Sequence, residues 1–138
     1  AVDLVMLDHE GYLAFFERTR NGVLNPPSRI FCDESGQPLR LNPNIAGKSG
    51  RRKLCVTDWD GDGKLDILIN STSANFLRQT DARDEKYYFT DTGPLVPQNI
   101  EGHDVSPTTV DFNGDGIPDF LGGAEDGHFY YLKNPRSK

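Results

Sequence analysis

The nine-residue stretch DWDGDGKLD at residues 58–66 recurs in nearly the same form as DFNGDGIPD at residues 111–119. In both copies oxygen-bearing side chains stand at positions 1, 3, 5 and 9, and glycines stand at positions 4 and 6. The glycines permit backbone angles that other residues reach only with strain. Alternate residues of such a turn can point inward together, and Ca²⁺ accepts about six to eight oxygen ligands in a flexible geometry. The two stretches therefore predict two loops that each surround a divalent cation.

The first six positions match the EF-hand pattern D-x-[DN]-x-[DN]-G, but the rest of each stretch does not. An EF-hand needs a Glu at position 12, where this chain has Ile69 and Gly122. The flanking segments at 54–57 (LCVT) and 67–69 (ILI) are short, apolar and rich in β-branched residues, which is typical of strands. Each loop is therefore expected to join two strands rather than two helices.

The loops begin at residues 58 and 111, and are thus 53 residues apart. A repeat period near fifty residues, with several strands in each copy, indicates propeller blades or a related array. A partial third copy opens the chain, because the segment 2–8 aligns with 118–121 and places Asp3 at position 9 of a loop. We expect the chain to start inside a repeat and to be a fragment of a larger protein.

The alternating apolar pattern predicts about ten strands of ordinary length. They are expected at 3–8, 12–18 and 28–33 in the opening copy, at 52–58, 65–71, 75–79 and 86–91 in the middle copy, and at 106–112, 118–123 and 128–133 in the last copy. The segments 34–50 and 92–104 are rich in Pro, Gly, Asn and Ser and are predicted to connect the copies.

The segments VTDWDGDGKLDIL at 56–68 and TVDFNGDGIPDFLGG at 109–123 resemble the FG-GAP and VCBS repeats. These repeats are the calcium-loop blades of the integrin α-chain propeller and of many bacterial secreted proteins. The resemblance implies an all-β fold of β-propeller-type, four-stranded antiparallel blades. The chain would hold about two and a half blades of a propeller. We expect this incomplete propeller to form a single repeat region over 1–138, with a partial blade at 1–50 and blades at 51–104 and 105–138.

The resemblance also implies the metal ligands of both calcium sites, with each loop joining the first strand of its blade to the second. In the first loop the side-chain ligands are Asp58, Asp60, Asp62 and Asp66, and Lys64 offers its carbonyl. In the second loop they are Asp111, Asn113, Asp115 and Asp119, with the carbonyl of Ile117. Self-association of the fragment could complete the blades.

The net charge of −6 argues against a nucleic-acid partner, since phosphate binding needs a basic face. Two bound Ca²⁺ ions would reduce this charge to −2, so the loops explain much of the acidity. No apolar run approaches the length of a membrane span. Calcium loops of modest affinity suit a place where free Ca²⁺ is plentiful, so we expect an extracellular, periplasmic or cell-surface location.

Several other residues leave alternatives open. Trp59 and Phe112, at position 2 of the loops, could stack on a sugar but are expected to pack between neighbouring blades. Cys32 and Cys55 are expected to be buried free thiols, with a disulfide as the alternative. The triplet at 70–72 (NST) is a glycosylation sequon.

The leading functional hypothesis is a calcium-stabilised binding or scaffolding module for an unknown polysaccharide or protein ligand. The alternative is the propeller portion of a carbohydrate-active enzyme such as a polysaccharide lyase, a reading that rests on analogy of fold. We expect no catalysis from this chain alone, because it has no G-x-S-x-G nucleophile elbow and His103-Asp104 forms only half of an acid/base pair. No catalytic or cofactor-binding residue other than the metal ligands is predicted.

Overall fold

The computed structural model describes residues 2–42, 52–100 and 105–138, and the predicted all-β fold is confirmed there. No helix occurs within these three ranges, so none that could cross a membrane is found in them. Each expected strand has a counterpart. The strands are β1 (Leu4–Leu7), β2 (Leu13–Phe16), β3 (Phe31–Cys32), β4 (Leu54–Thr57), β5 (Asp66–Asn70), β6 (Ala74–Arg83), β7 (Lys86–Pro94), β8 (Ser106–Val110), β9 (Asp119–Gly123) and β10 (Phe129–Leu132).

The chain divides into two compact units, one of residues 1–52 and 80–90 and one of residues 53–79 and 91–138. The blade limits predicted at 50/51 and 104/105 stay predictions, because these positions adjoin or lie outside the described residues. The predicted connections at 34–50 and 92–104 are likewise described only in part. Strand β7 continues to Pro94, so the second connection starts later than expected.

In the first unit, β1 and β2 form an antiparallel pair from Leu4↔Phe16 to Leu7↔Leu13. Strand β3 instead runs parallel to β7, with Phe31 opposite Tyr87. This pair departs from the antiparallel pattern of the predicted blades. Strand β3 has only two residues, and the Phe31 ring lies 6.1 Å from the Tyr87 ring and 6.2 Å from that of Phe89. Aromatic packing therefore accompanies a pairing that is too short to be set by a ladder of backbone bonds.

The middle copy contributes four consecutive strands, β4-β5-β6-β7, to a five-stranded sheet in which β3 lies beyond β7. Strand β5 is antiparallel to both of its neighbours, with Leu54↔Ile69 on one side and Ile67↔Leu77 on the other. Strands β6 and β7 are longer than predicted and are joined at Asp84 and Glu85, which both have positive φ (52° and 57°). Two such residues are what a tight type I′ hairpin turn requires.

The last copy forms a three-stranded antiparallel sheet in the order β8-β9-β10. The core of the second unit is a buried cluster of Trp59, Leu68, Ala74, Val105 and Phe120. Gly122 lies against this cluster, because a Cβ at its position would stand 2.4 Å from Cγ1 of Val105. The core thus packs directly against the strands that begin and end the two acidic loops.

Candidate metal centres

Each acidic loop joins the first strand of its copy to the second, as predicted. The first loop leaves β4 and enters β5, and the second leaves β8 and enters β9. The ladder closes at Thr57↔Asp66 in one copy and at Val110↔Asp119 in the other. The last acid of each loop is therefore held by the sheet, while the earlier positions lie on the turn.

The two turns share the same backbone conformation. The glycines of the first loop, Gly61 and Gly63, have φ of 76° and 85°, and those of the second loop have 76° and 82°. In both loops the N–H of the position-6 glycine donates to the position-1 carboxylate. Gly63 donates to Asp58 at 3.1 Å, and Gly116 donates to Asp111 at 2.9 Å. The repeat recognised in the sequence is thus also a repeat of local geometry.

In the first loop the carboxylates of Asp58, Asp60 and Asp66 meet. One oxygen from each lies within 4.8 Å of the other two. Calcium–oxygen distances are about 2.3–2.6 Å, so oxygens on opposite sides of one ion stand about 5 Å apart. The donor set and its spacing therefore fit a single hard cation.

Asp66 is fully buried at the base of the first loop. It accepts the backbone N–H of Trp59 at 3.0 Å and that of Gln79 at 2.8 Å. The pKa of its carboxyl is raised overall, mainly by burial and also by the negative charge of Asp60. The two backbone hydrogen bonds lower the pKa but do not outweigh burial. A cation beside Asp66 would offset the cost of keeping this carboxylate charged.

Asp62 does not join that group of three carboxylates. Its Oδ2 lies 2.8 Å from Nζ of Lys64 and 3.5 Å from Nη2 of Arg78, while Nε of Arg78 lies 2.5 Å from Asp60. The hydrogen bonds from the Lys64 side chain and backbone hold the pKa of Asp62 below its usual value. Two basic side chains therefore compete for the acids predicted to bind metal.

The second loop has the same hydrogen-bonded turn but not the same acidic group. Within the three described ranges, the acids of the first loop form the only cluster of three metal-ligating side chains. Position 3 of the second loop is Asn113, whose Oδ1 accepts the N–H of Asp115 at 3.0 Å. An amide therefore occupies the place that Asp60 fills in the first loop.

The position-9 acid has the same partner in all three copies. The residue after this acid, position 10, pairs with a residue on the neighbouring strand. Two residues beyond that pairing residue, a backbone N–H donates to Oδ1 of the acid. The pairs are Asp66 with Gln79 at 2.8 Å, Asp119 with Asn134 at 2.8 Å, and Asp3 with Arg18 at 2.9 Å. The partial opening copy therefore repeats the position-9 hydrogen bond of the two complete loops.

Asp119 has two further donors that Asp66 lacks. The hydroxyl of Tyr131 donates to its Oδ2 at 2.8 Å, and that of Ser137 donates to its Oδ1 at 3.0 Å. Burial alone raises the pKa of this carboxyl, but its hydrogen bonds, led by that from Asn134, outweigh burial and lower it. Asp119 is thus stabilised as an anion by protein donors.

The predicted carbonyl ligands occupy equivalent places in the two loops. The N–H of Lys64 donates to Oδ1 of Asp62 at 2.9 Å, and the N–H of Ile117 donates to Oδ1 of Asp115 at 2.9 Å. Their roles as ligands, like those of the side chains, stay predictions.

The segment 134–138 follows the last predicted strand and contains none of the predicted site residues. Asn134, Arg136, Ser137 and Lys138 all form hydrogen bonds to residues of the two loops. No motif in the sequence marks these residues, because their partners lie far away along the chain.

The two position-2 aromatics differ. Trp59 is only 6% exposed and belongs to the core cluster, so its predicted packing is confirmed. Phe112 is 67% exposed and its ring lies 5.2 Å from that of Tyr131, so the prediction that it packs between blades is wrong. Phe112 rests on the surface of its own sheet instead.

The remaining candidates have simple outcomes. Cys32 is buried, Cys55 is partly buried, and both are free thiols. Asn70 of the sequon is fully buried, and its Oδ1 accepts the N–H of Lys53 at 3.0 Å. His103-Asp104 lies outside the described residues.

A cavity of about 360 Å³ opens beside the first loop, within the second unit. Its apolar walls include Trp59, Phe76 and Leu95, and its polar walls include Asp60 and Arg136. The volume lies within the usual range for small-ligand sites, about 300–1,000 Å³.

Comparison with known families gives one match. The sequence model described as FG-GAP-like repeat matches residues 58–122, from the first Asp of the first loop to within β9. Neither the search of curated proteins nor that of solved structures found a match.

Proposed function

Since residues 58–122 match the FG-GAP-like repeat family, we propose that the chain is a calcium-binding β-propeller repeat module with two structural Ca²⁺ sites. The observation that carries this proposal is the meeting of Asp58, Asp60 and Asp66 around the fully buried Asp66 carboxylate. Three negative groups this close repel one another, and a divalent cation converts that repulsion into attraction.

In the first site we assign Asp58, Asp60, Asp62 and Asp66 as side-chain ligands, with the carbonyl of Lys64. In the second site the corresponding residues are Asp111, Asn113, Asp115 and Asp119, with the carbonyl of Ile117. A bound Ca²⁺ would tie each turn to the strand that follows it, because the position-9 acid belongs to the strand. Its role is therefore stabilisation of the blade.

Thermal unfolding tests this proposal. Each filled site stabilises the folded state by about 2.7 kcal/mol when free Ca²⁺ is at one hundred times the dissociation constant. Circular dichroism melts in EDTA, and then in increasing Ca²⁺, should show a melting temperature that rises with concentration. A melting temperature that stays constant from micromolar to millimolar Ca²⁺ would remove the basis of the proposal.

The first loop should bind the more tightly. It offers four carboxylates, whereas the second loop offers three carboxylates and an amide, and affinity rises with ligand charge. Titration calorimetry of Asp58→Ala should leave the weaker site, and that of Asp111→Ala should leave the tighter one. The reverse order would show that ligand charge does not rank these loops.

An extracellular, periplasmic or cell-surface location belongs to the same proposal. The support is the family, whose repeats are typical of extracellular proteins, and the solvent-facing loops. Calcium sites of extracellular modules have dissociation constants of about 10⁻⁴–10⁻³ M. Calorimetry that gives submicromolar constants for both sites would argue for a cytosolic role instead.

The ligand of the module is proposed to be a polysaccharide or a protein, and the chain alone is proposed to be non-catalytic. The cavity beside the first loop supports this role, since it combines apolar walls with the charged Asp60 and Arg136. The second candidate is the propeller portion of a carbohydrate-active enzyme such as a polysaccharide lyase. Binding and depolymerisation assays with acidic and neutral polysaccharides, on wild type and Phe76→Ala, separate the two. Loss of binding in the variant without any cleavage supports the binding module.

A further inference from the structure

The segment 134–138, called the tail segment below, contacts both acidic loops. Its centre is Asn134, which is 1% exposed. One side-chain amide group makes two bonds, as Nδ2 donates to the carbonyl of Trp59 at 3.0 Å and to that of Pro118 at 2.9 Å. Trp59 is position 2 of the first loop and Pro118 is position 8 of the second. A single buried side chain therefore joins the backbones of the two loops.

Arg136 adds a second connection to the first loop. Its Nε donates to the carbonyl of Trp59 at 3.0 Å and its Nη2 to that of Asp58 at 3.3 Å. The guanidinium lies directly on Gly61, because a Cβ built there would stand 2.1 Å from Nη1. The hydrogen bonds described between the tail segment and the first loop are thus to the main chain of that loop.

On the second loop the tail segment instead contacts two of the proposed ligands. Oδ1 of Asp119 accepts the N–H of Asn134 at 2.8 Å and the hydroxyl of Ser137 at 3.0 Å. Oδ2 of Asp115 accepts the N–H of Lys138 at 3.3 Å. A change in the position of these carboxylates must therefore move or fix the tail segment.

From these contacts we propose that the tail segment couples the two loops, so that calcium binding at one raises the calcium affinity of the other. This inference rests on the proposed calcium function. Binding at the second loop would fix Asp115 and Asp119, and with them the tail segment and the first-loop carbonyls that it holds. The ordering cost is then met once rather than twice, which gives positive cooperativity. By linkage the effect is equal in both directions.

The test follows each loop separately by NMR during calcium titration of the full chain. The amide of Gly63 donates to Asp58, and that of Gly116 donates to Asp111, so these two signals report the first and second loop. In the Asp111→Ala variant, whose lost carboxylate makes no bond to the tail segment among those described, first-loop affinity should fall about fivefold or more.

Variants of the tail segment then locate the coupling. In Asn134→Ala, adding Asp111→Ala should change first-loop affinity less than twofold. If buried Asn134 proves necessary for folding, the double variant Arg136→Gln/Ser137→Ala carries the same test, with about half or less of the wild-type coupling expected. Arg20→Gln, which alters an exposed arginine in a turn far from the loops in sequence, should keep the full effect.

The outcomes separate the two proposals. If both loops of the wild type bind calcium but Asp111→Ala leaves first-loop affinity unchanged, the coupling is overturned and the calcium function stands. If the loss in Asp111→Ala is undiminished in the tail variants, the tail segment is not the connection. If neither amide responds to calcium, both proposals fail.

Discussion

The substitution Asp58→Asn separates the structural role of this carboxylate from its proposed role in metal binding. Asp58 accepts the N–H of Gly61 at 2.8 Å and that of Gly63 at 3.1 Å, one on each oxygen. Asparagine keeps one acceptor oxygen and nearly the same shape, so one hydrogen bond to a solvent-accessible amide is lost. That loss costs about 0.5–1.5 kcal/mol. The loss of the negative charge removes the first site, which costs about 2.7 kcal/mol more at one hundred times the wild-type dissociation constant.

The matched control is Asp33→Asn. Oδ1 of Asp33 accepts the N–H groups of Ser35 and Gln37 at 2.9 and 3.0 Å, in a turn outside both loops. Urea unfolding followed by circular dichroism, in EDTA and in excess Ca²⁺, gives the free energy of unfolding for each protein. Asp58→Asn should cost about 1 kcal/mol in EDTA and about 3–4 kcal/mol in Ca²⁺. The control should cost the same in both media, and an equal cost of Asp58→Asn in both media would refute the metal role of Asp58.

Three further predictions use other parts of the chain. Arg78→Gln should raise calcium affinity at the first loop by up to about fivefold, since the pairs it removes are partly exposed; calorimetry checks this, with Arg83→Gln expected to have no effect. Gly122→Ala should destabilise the protein by about 1–3 kcal/mol through overpacking, whereas Gly123→Ala, with 3.6 Å of clearance, should cost clearly less in urea unfolding. Burial raises the pKa of Asp8, but its hydrogen bonds, led by that from Arg29, outweigh burial and lower the pKa overall. The ionised Asp8 should therefore contribute its full stability at pH values above 3.8, the pKa in the unfolded chain, and this contribution should be lost as the pH falls through the lower pKa of the folded state. Urea titrations over a pH series should show this loss in the wild type and not in Asp8→Asn.

The acidic loops and their flanking strands could be predicted because their signals are local. Ligand spacing and loop glycines act within nine residues, and the apolar runs beside them fix the strands. The β6–β7 hairpin was underestimated because Asp84 and Glu85 adopt positive φ without a glycine to announce it. Strand β3 was expected in an antiparallel blade, but two residues carry no directional signal of their own.

The tail segment could not be predicted because its role depends on contacts across long stretches of chain. Asn134 meets Trp59 from 75 residues away, and nothing in the composition of a short polar stretch specifies such a partner. Trp59 and Phe112 occupy the same position in the two loops, but Trp59 is buried and Phe112 is exposed. Repeated sequence therefore predicts equivalent backbone more safely than equivalent burial.

The inward-facing Asn70 has a practical consequence for producing this protein. Its side chain receives the amide of Lys53 and has no exposed surface, so the folded chain offers no room for an attached sugar. In a secretory host that attaches glycans to nascent polypeptides, occupancy of that triplet would compete with closure of the sheet. Replacing the exposed Thr72 by Ala removes the glycosylation signal and leaves the buried Asn70 in place. The hydrogen bond from the N–H of Ile100 is also kept, because it is accepted by the backbone carbonyl of residue 72. We therefore expect Thr72→Ala to improve the yield of folded protein from such a host.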